Sequence, residues 1–125
     1  MAKILGVGGV FLRCKDVKAY RAWWTDIMGL DITDWGTFEW ERKSNSRSMF
    51  SPFPDESDYF GPSSERVMIN LQVEDVPVLI ERAKTGGAEI VGDIEPTEYG
   101  TFGWFIDPEG YKIELWEAPS ATPKK

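Results

Sequence analysis

A chain of 125 residues, 42% of them hydrophobic and 28% charged, has the length of one domain and would bury about two-thirds of its unfolded surface on folding. Its composition excludes disorder, and no apolar run reaches membrane-spanning length, so no membrane partner is expected. Its 21 acidic and 14 basic residues give a net charge of −7, with the basic side chains dispersed, which argues against nucleic acid as a partner.

Met1–Leu5 has no long apolar core with a cleavage site, and the lone Cys14 can form no internal disulfide, so the expected location is cytoplasmic. The chain contains no histidine. Any acid or base work must therefore fall to carboxylates, Lys or Tyr, and Cys14 has no imidazole to activate it.

In chain order, Val10–Cys14 alternates as a strand, with Val10, Leu12 and Cys14 on the helix-facing side and Gly9, Phe11 and Arg13 on the other. Asp16 is placed to cap a helix over Lys18–Met28 that Gly29 stops. Leu30-Asp31-Ile32 follows, and Thr37–Arg42 and Ser48–Ser51 can supply two further strands. Pro52–Pro62 is too rich in proline and acid for a regular element, yet Phe53, Tyr59 and Phe60 argue against a plain tether. It reads as a linker that is either a packed loop or a cover over a pocket.

The pattern then repeats. Ile69–Val76 resembles Val10–Val17, each an alternating strand ending in Asp-Val. Asp75 caps a helix over Pro77–Thr85, Gly86-Gly87 stop it, and Ala88-Glu89-Ile90 follows. Glu98–Trp104 mixes glycines with aromatics, either as an ordinary hairpin or at the mouth of a pocket, and Thr101–Ile106 is a strand. Asp107-Pro108-Glu109-Gly110 is a turn, because Pro108 presets φ and Gly110 tolerates the left-handed closing position. In the last strand, Tyr111, Ile113 and Leu115 share one face and Lys112, Glu114 and Trp116 the other. One domain spans 1–125: a first module at about 6–51, a linker at 52–66, a second module at about 67–117 and a frayed tail at 118–125.

This duplicated pattern, with Phe102–Gly110 followed by Ile113-Glu114-Leu115-Trp116 as its most specific stretch, resembles the vicinal oxygen chelate superfamily of glyoxalase I, extradiol dioxygenases and bleomycin-resistance proteins. The resemblance implies an α+β fold in which two βαβββ modules form a mixed-sheet half-barrel cup with helices on the outer face. It also implies a ligand on the concave side and a homodimer. Metal-dependent members would place ligands at Gly9, Met68 and Glu114 and at a fourth position near Ser48–Phe50. Glycine has no side chain and a thioether is a poor ligand for such metals, so no metal ligands and no cofactor are expected.

Strand alternation and that resemblance give a cup lined by Phe11, Arg13, Met68, Asn70, Gln72, Trp104, Lys112 and Trp116 around Glu114. The expected function is binding of a small, aromatic or cationic molecule. The alternative is a glyoxalase-like lyase or isomerase that uses Glu114 as general base or as the sole retained metal ligand. Arg13, Lys112 and Glu114 are expected either to pair with one another or to serve the ligand.

Overall fold

The computed structural model describes residues 2–3, 7–41 and 48–119. Among the described residues, two helices and five strands follow as α1 (Val17–Asp26), β1 (Met68–Gln72), α2 (Val76–Thr85), β2 (Glu89–Ile90), β3 (Glu95–Thr97), β4 (Gly100–Ile106) and β5 (Lys112–Glu117). The strands form one mixed, unclosed sheet in the order β1-β5-β4-β2, with β3 also paired to β4. β1 runs parallel to β5, and the remaining pairs are antiparallel. Among the described residues no helix is long and apolar enough to cross a membrane.

Both helices begin as their caps dictate. The Asp16 carboxylate accepts from the amide of Ala19 at 3.0 Å, and that of Asp75 accepts from Val78 at 3.1 Å. Glu117 at the end of β5 takes the free amide of Val76 at 3.0 Å, which ties the start of α2 to the last strand. Both helices lie on the same sheet face. Phe105, Ile113 and Leu115 point there and are fully buried, together with Val76 and Ala83 of α2. Burying the Phe, Ile, Leu and Val side chains among these stabilises the fold by roughly 1.5–3 kcal/mol each. Gly103 lets α2 approach β4 closely, because a Cβ there would meet Ile80 and Val76 at 2.8 and 2.9 Å.

The turn between β4 and β5 fastens α1. Asp107 accepts the hydroxyl of Tyr20 at 2.5 Å and the amides of Glu109 and Tyr111 at 3.0 Å each. Glu109 accepts the amides of Lys15 and Asp16 at 2.8 and 2.9 Å, and the Tyr111 hydroxyl donates to the Arg13 carbonyl at 2.9 Å. Trp23 donates to the Gly86 carbonyl at 2.9 Å, and its ring lies 5.8 Å from that of Phe105.

The first module departs from its expected strands. Among the described residues, Val10–Cys14, Thr37–Glu41 and Ser48–Ser51 join no ladder; Arg42 lies outside them. The cause is local competition for backbone groups. Arg13, Lys15 and Asp16 are held by side chains of the β4–β5 turn rather than by a neighbouring strand. Thr33 and Thr37 close a turn through their own hydroxyls, and Glu39 accepts from Trp35 and Thr37. Phe11, Trp35, Trp40, Met49 and Phe50 are accordingly exposed.

Candidate functional site

The sheet face opposite the helices carries three short rows of side chains, fixed by strand register. Met68, Lys112 and Ile106 form one, Asn70, Glu114 and Trp104 the next, and Gln72, Trp116 and Phe102 the third. Each row takes one residue from β1, one from β5 and one from β4. Because side chains two apart on a strand share a face, the nine residues line a single surface.

Glu114 lies at its centre and is only 8% exposed. Its Oε1 accepts from Asn70 Nδ2 at 2.7 Å, and its Oε2 accepts from Trp104 Nε1 at 2.8 Å and from the hydroxyl of Tyr59. A carboxylate buried in this way is held by hydrogen bonds rather than by a counter-ion. Lys112, 6% exposed, does not pair with it. Its Nζ donates to the Tyr59 carbonyl at 2.6 Å and lies 5.1 Å from the Tyr59 ring and 6.0 Å from the Trp104 ring. Burial holds its ammonium below the usual lysine range, against the opposing pull of Glu114 and Asp58.

Tyr59 comes from the linker. Its ring stacks on Phe53 at 5.8 Å and meets Trp104 edge-on at 6.3 Å, and Phe53 also packs edge-on against Phe60. Burial, then its hydrogen bond to Glu114, pushes the Tyr59 phenol up to about 12. On the far side, the Trp116 indole donates to the Tyr99 carbonyl at 2.8 Å. Gly100, at φ +124°, makes room for this, since a Cβ would come within 2.6 Å of that indole nitrogen.

Of the residues expected in the cup, Met68, Asn70, Gln72, Trp104, Lys112, Glu114 and Trp116 meet on this surface. Phe11 and Arg13 do not join them. Phe11 is 98% exposed, and both border a separate open trough with Glu65, Glu109 and Tyr111. The expected mutual pairing of Arg13, Lys112 and Glu114 is absent: among the described residues the one ion pair joins Arg66 to Asp55, on the surface. Tyr59 also reaches this surface, with Phe53 stacked on it, although strand alternation could not place them. Their signal was the aromatic content of an otherwise proline-rich, acidic linker.

The arrangement presents an acceptor carboxylate, a cation and aromatic walls on one surface, a composition suited to orienting a small ring-bearing molecule. Among the described residues no three His, Cys, Asp or Glu side chains converge.

Solved structures share the fold, among them three that align with most of this chain. A protein of unknown function from Agrobacterium tumefaciens str. C58 is 19% identical, with 92% of this chain and 98% of that one covered at a TM-score of 0.58. An antibiotic binding protein from Streptomyces sp. CB03234 is 20% identical over 85% and 89% of the two chains, at 0.53. A glyoxalase/bleomycin resistance protein/dioxygenase from Nocardioides is 15% identical over 97% and 92%, at 0.52. No curated protein matches the chain significantly. The family model of the glyoxalase-like domain matches residues 9–116, nearly the whole chain and all of the surface around Glu114, and the chain belongs to that family.

Proposed function

We propose that this chain binds a small, flat aromatic molecule over the Asn70–Glu114–Trp104 row and does so without a metal. The observation that carries the reading is Glu114: a buried carboxylate, oriented by Asn70 and Trp104 and walled by Phe102, Trp104, Trp116 and Tyr59. Such a group orients a ligand through one strong acceptor while the rings supply contact area. The same fold serves binding in an antibiotic binding protein from Streptomyces sp. CB03234. An uncharged aromatic suits the surface better than a cationic one. Lys112 already places its ammonium over the rings of Tyr59 and Trp104, and a ligand cation beside Glu114 would meet that like charge.

The donor set does not fit a divalent metal. Glu114 is the only carboxylate in the three rows, both its oxygens are taken, and Met68, the register partner of Lys112, offers only a thioether. Hard and borderline cations need several oxygen or nitrogen ligands. The same saturation disfavours Glu114 as a general base, since a carboxylate accepting three hydrogen bonds is poorly placed to take a proton from carbon.

Calorimetric titration of the purified protein with a panel of neutral aromatic compounds, and separately with zinc, nickel, manganese and ferrous iron, tests this. An aromatic ligand should bind the native chain and lose most of its affinity in Trp116→Ala, by about tenfold or more for a buried ring contact. Metal binding abolished by Glu114→Gln would overturn the reading, as would full ligand affinity in Trp116→Ala.

A further inference from the structure

We propose that the cup contains a subsite for a phenol, a flat ring carrying a hydroxyl donor, and that Tyr59 fills this subsite in the free chain as a built-in stand-in for the ligand. The inference deepens the proposed function and rests on it.

Tyr59 is held as a bound phenol would be. One ring face stacks on Phe53 with an interplanar angle of 6°, the edge meets Trp104 at 88°, and the hydroxyl donates to Glu114. Offset stacking, an edge-to-face contact and one charge-assisted hydrogen bond are the three interactions by which a protein recognises a phenol. The neighbouring Lys112 secures the same residue from its other end, through the Tyr59 carbonyl. Both charged side chains of the cup are therefore occupied by one residue of the linker.

The linker is tied to the β4–β5 turn at Ser63, whose Oγ donates to the Gly110 carbonyl at 2.5 Å, but no ladder holds the chain around Tyr59. Tyr59 belongs to no ladder and remains 37% exposed, and its surroundings are short turns: Ser57 to Pro54, Gly61 to Asp58, and the Tyr59 amide to the Ser57 hydroxyl at 3.2 Å. The nearby ion pair of Arg66 with Asp55 is highly exposed and contributes little. Asn70 and Trp104, by contrast, hold Glu114 from the sheet and would stay in place if Tyr59 left. Departure would leave Glu114 Oε2 with the Trp104 indole as its donor and open the place of the Tyr59 hydroxyl, where a second charge-assisted hydrogen bond can form. An incoming molecule that brings a donor to that point regains that bond. Selection for a hydroxyl over its ether follows, because an ether oxygen offers only lone pairs to a carboxylate.

The experiment is calorimetric titration of the full chain, its fold checked by circular dichroism, with p-cresol and with the methyl ether of p-cresol. Tyr59→Ala vacates the subsite and should bind p-cresol at least about tenfold more tightly than the native chain, the scale of one hydrogen bond to a charged group. The ether should bind that variant at least about tenfold more weakly than p-cresol. Tyr59→Phe, which keeps the ring and loosens only the hydroxyl anchor, should also gain affinity for p-cresol and serves if the alanine variant does not fold. Equal p-cresol affinity in the native chain and both variants would overturn the subsite, as would equal affinity for the ether. A different aromatic ligand that binds native and Tyr59→Ala chains alike would sink the subsite while leaving the proposed function standing. p-Cresol binding confined to the Tyr59 variants, with no panel compound binding the native chain, would support the subsite and count against that wider reading.

Discussion

Glu114 receives hydrogen bonds from three different parts of the chain: Asn70 on an edge strand, Trp104 on a central strand and Tyr59 on a linker. The first two were legible in the sequence, because a strand period of two puts Asn70 and Glu114 on known faces once the strands are recognised. Tyr59 was not, since a loop has no period from which a direction can be read. Its hydroxyl also makes the site sensitive to alkaline pH. The folded-state value is raised from 10.0 to about 12, so the folded chain holds this proton more tightly than the unfolded one. The associated stability is fully present below pH 10, declines as pH rises and is lost once pH passes about 12. Phenolate absorbance of the native chain minus that of Tyr59→Phe should therefore show one hydroxyl ionising near pH 12. Ionisation at the ordinary value would show that it does not rest on Glu114.

Among elements, those with strong local signals lie close to where the pattern put them. The helices expected over Lys18–Met28 and Pro77–Thr85 appear as Val17–Asp26 and Val76–Thr85, each behind its aspartate cap. The strands expected over Thr101–Ile106 and Tyr111–Glu117 appear as Gly100–Ile106 and Lys112–Glu117. The first module's strands were misjudged because alternation reports which face a residue prefers, not whether a partner strand is available. There the partners are side chains: Glu109 and Tyr111 hold the Arg13–Asp16 backbone, and Thr33, Thr37 and Glu39 bond among themselves. The seam between α2 and β4 depends on Gly103, whose missing side chain is the space that Val76 and Ile80 occupy. Gly103→Ala should destabilise the chain by about 1–3 kcal/mol through overpacking, visible as a fall of several degrees in Tm. An unchanged midpoint would mean that the helix does not press on the strand at that point.

For the whole molecule, the α+β character and the half-barrel sheet with both helices on its outer face were implied by the family resemblance that the duplicated pattern and the Phe102–Trp116 stretch carry. The extent of the sheet was not, because among the described residues the five strands all come from the second module and the first contributes α1 to its outer face. The cup is thus a sheet wall lined by β1, β5 and β4 with Tyr59 of the linker laid on it. This division separates the six tryptophans by position. Trp104 and Trp116 belong to the cup, Trp23 and Trp24 pack under α1 against Phe105, and Trp35 and Trp40 are exposed on the first module. Indole N–H resonances can therefore report where a ligand sits. Nuclear magnetic resonance titration of the native chain with the tightest-binding aromatic of the panel should shift the Trp104 and Trp116 signals and leave those of Trp23 and Trp24 in place. Shifts confined to Trp35 and Trp40, with Trp104 and Trp116 unmoved, would contradict a binding site over Glu114.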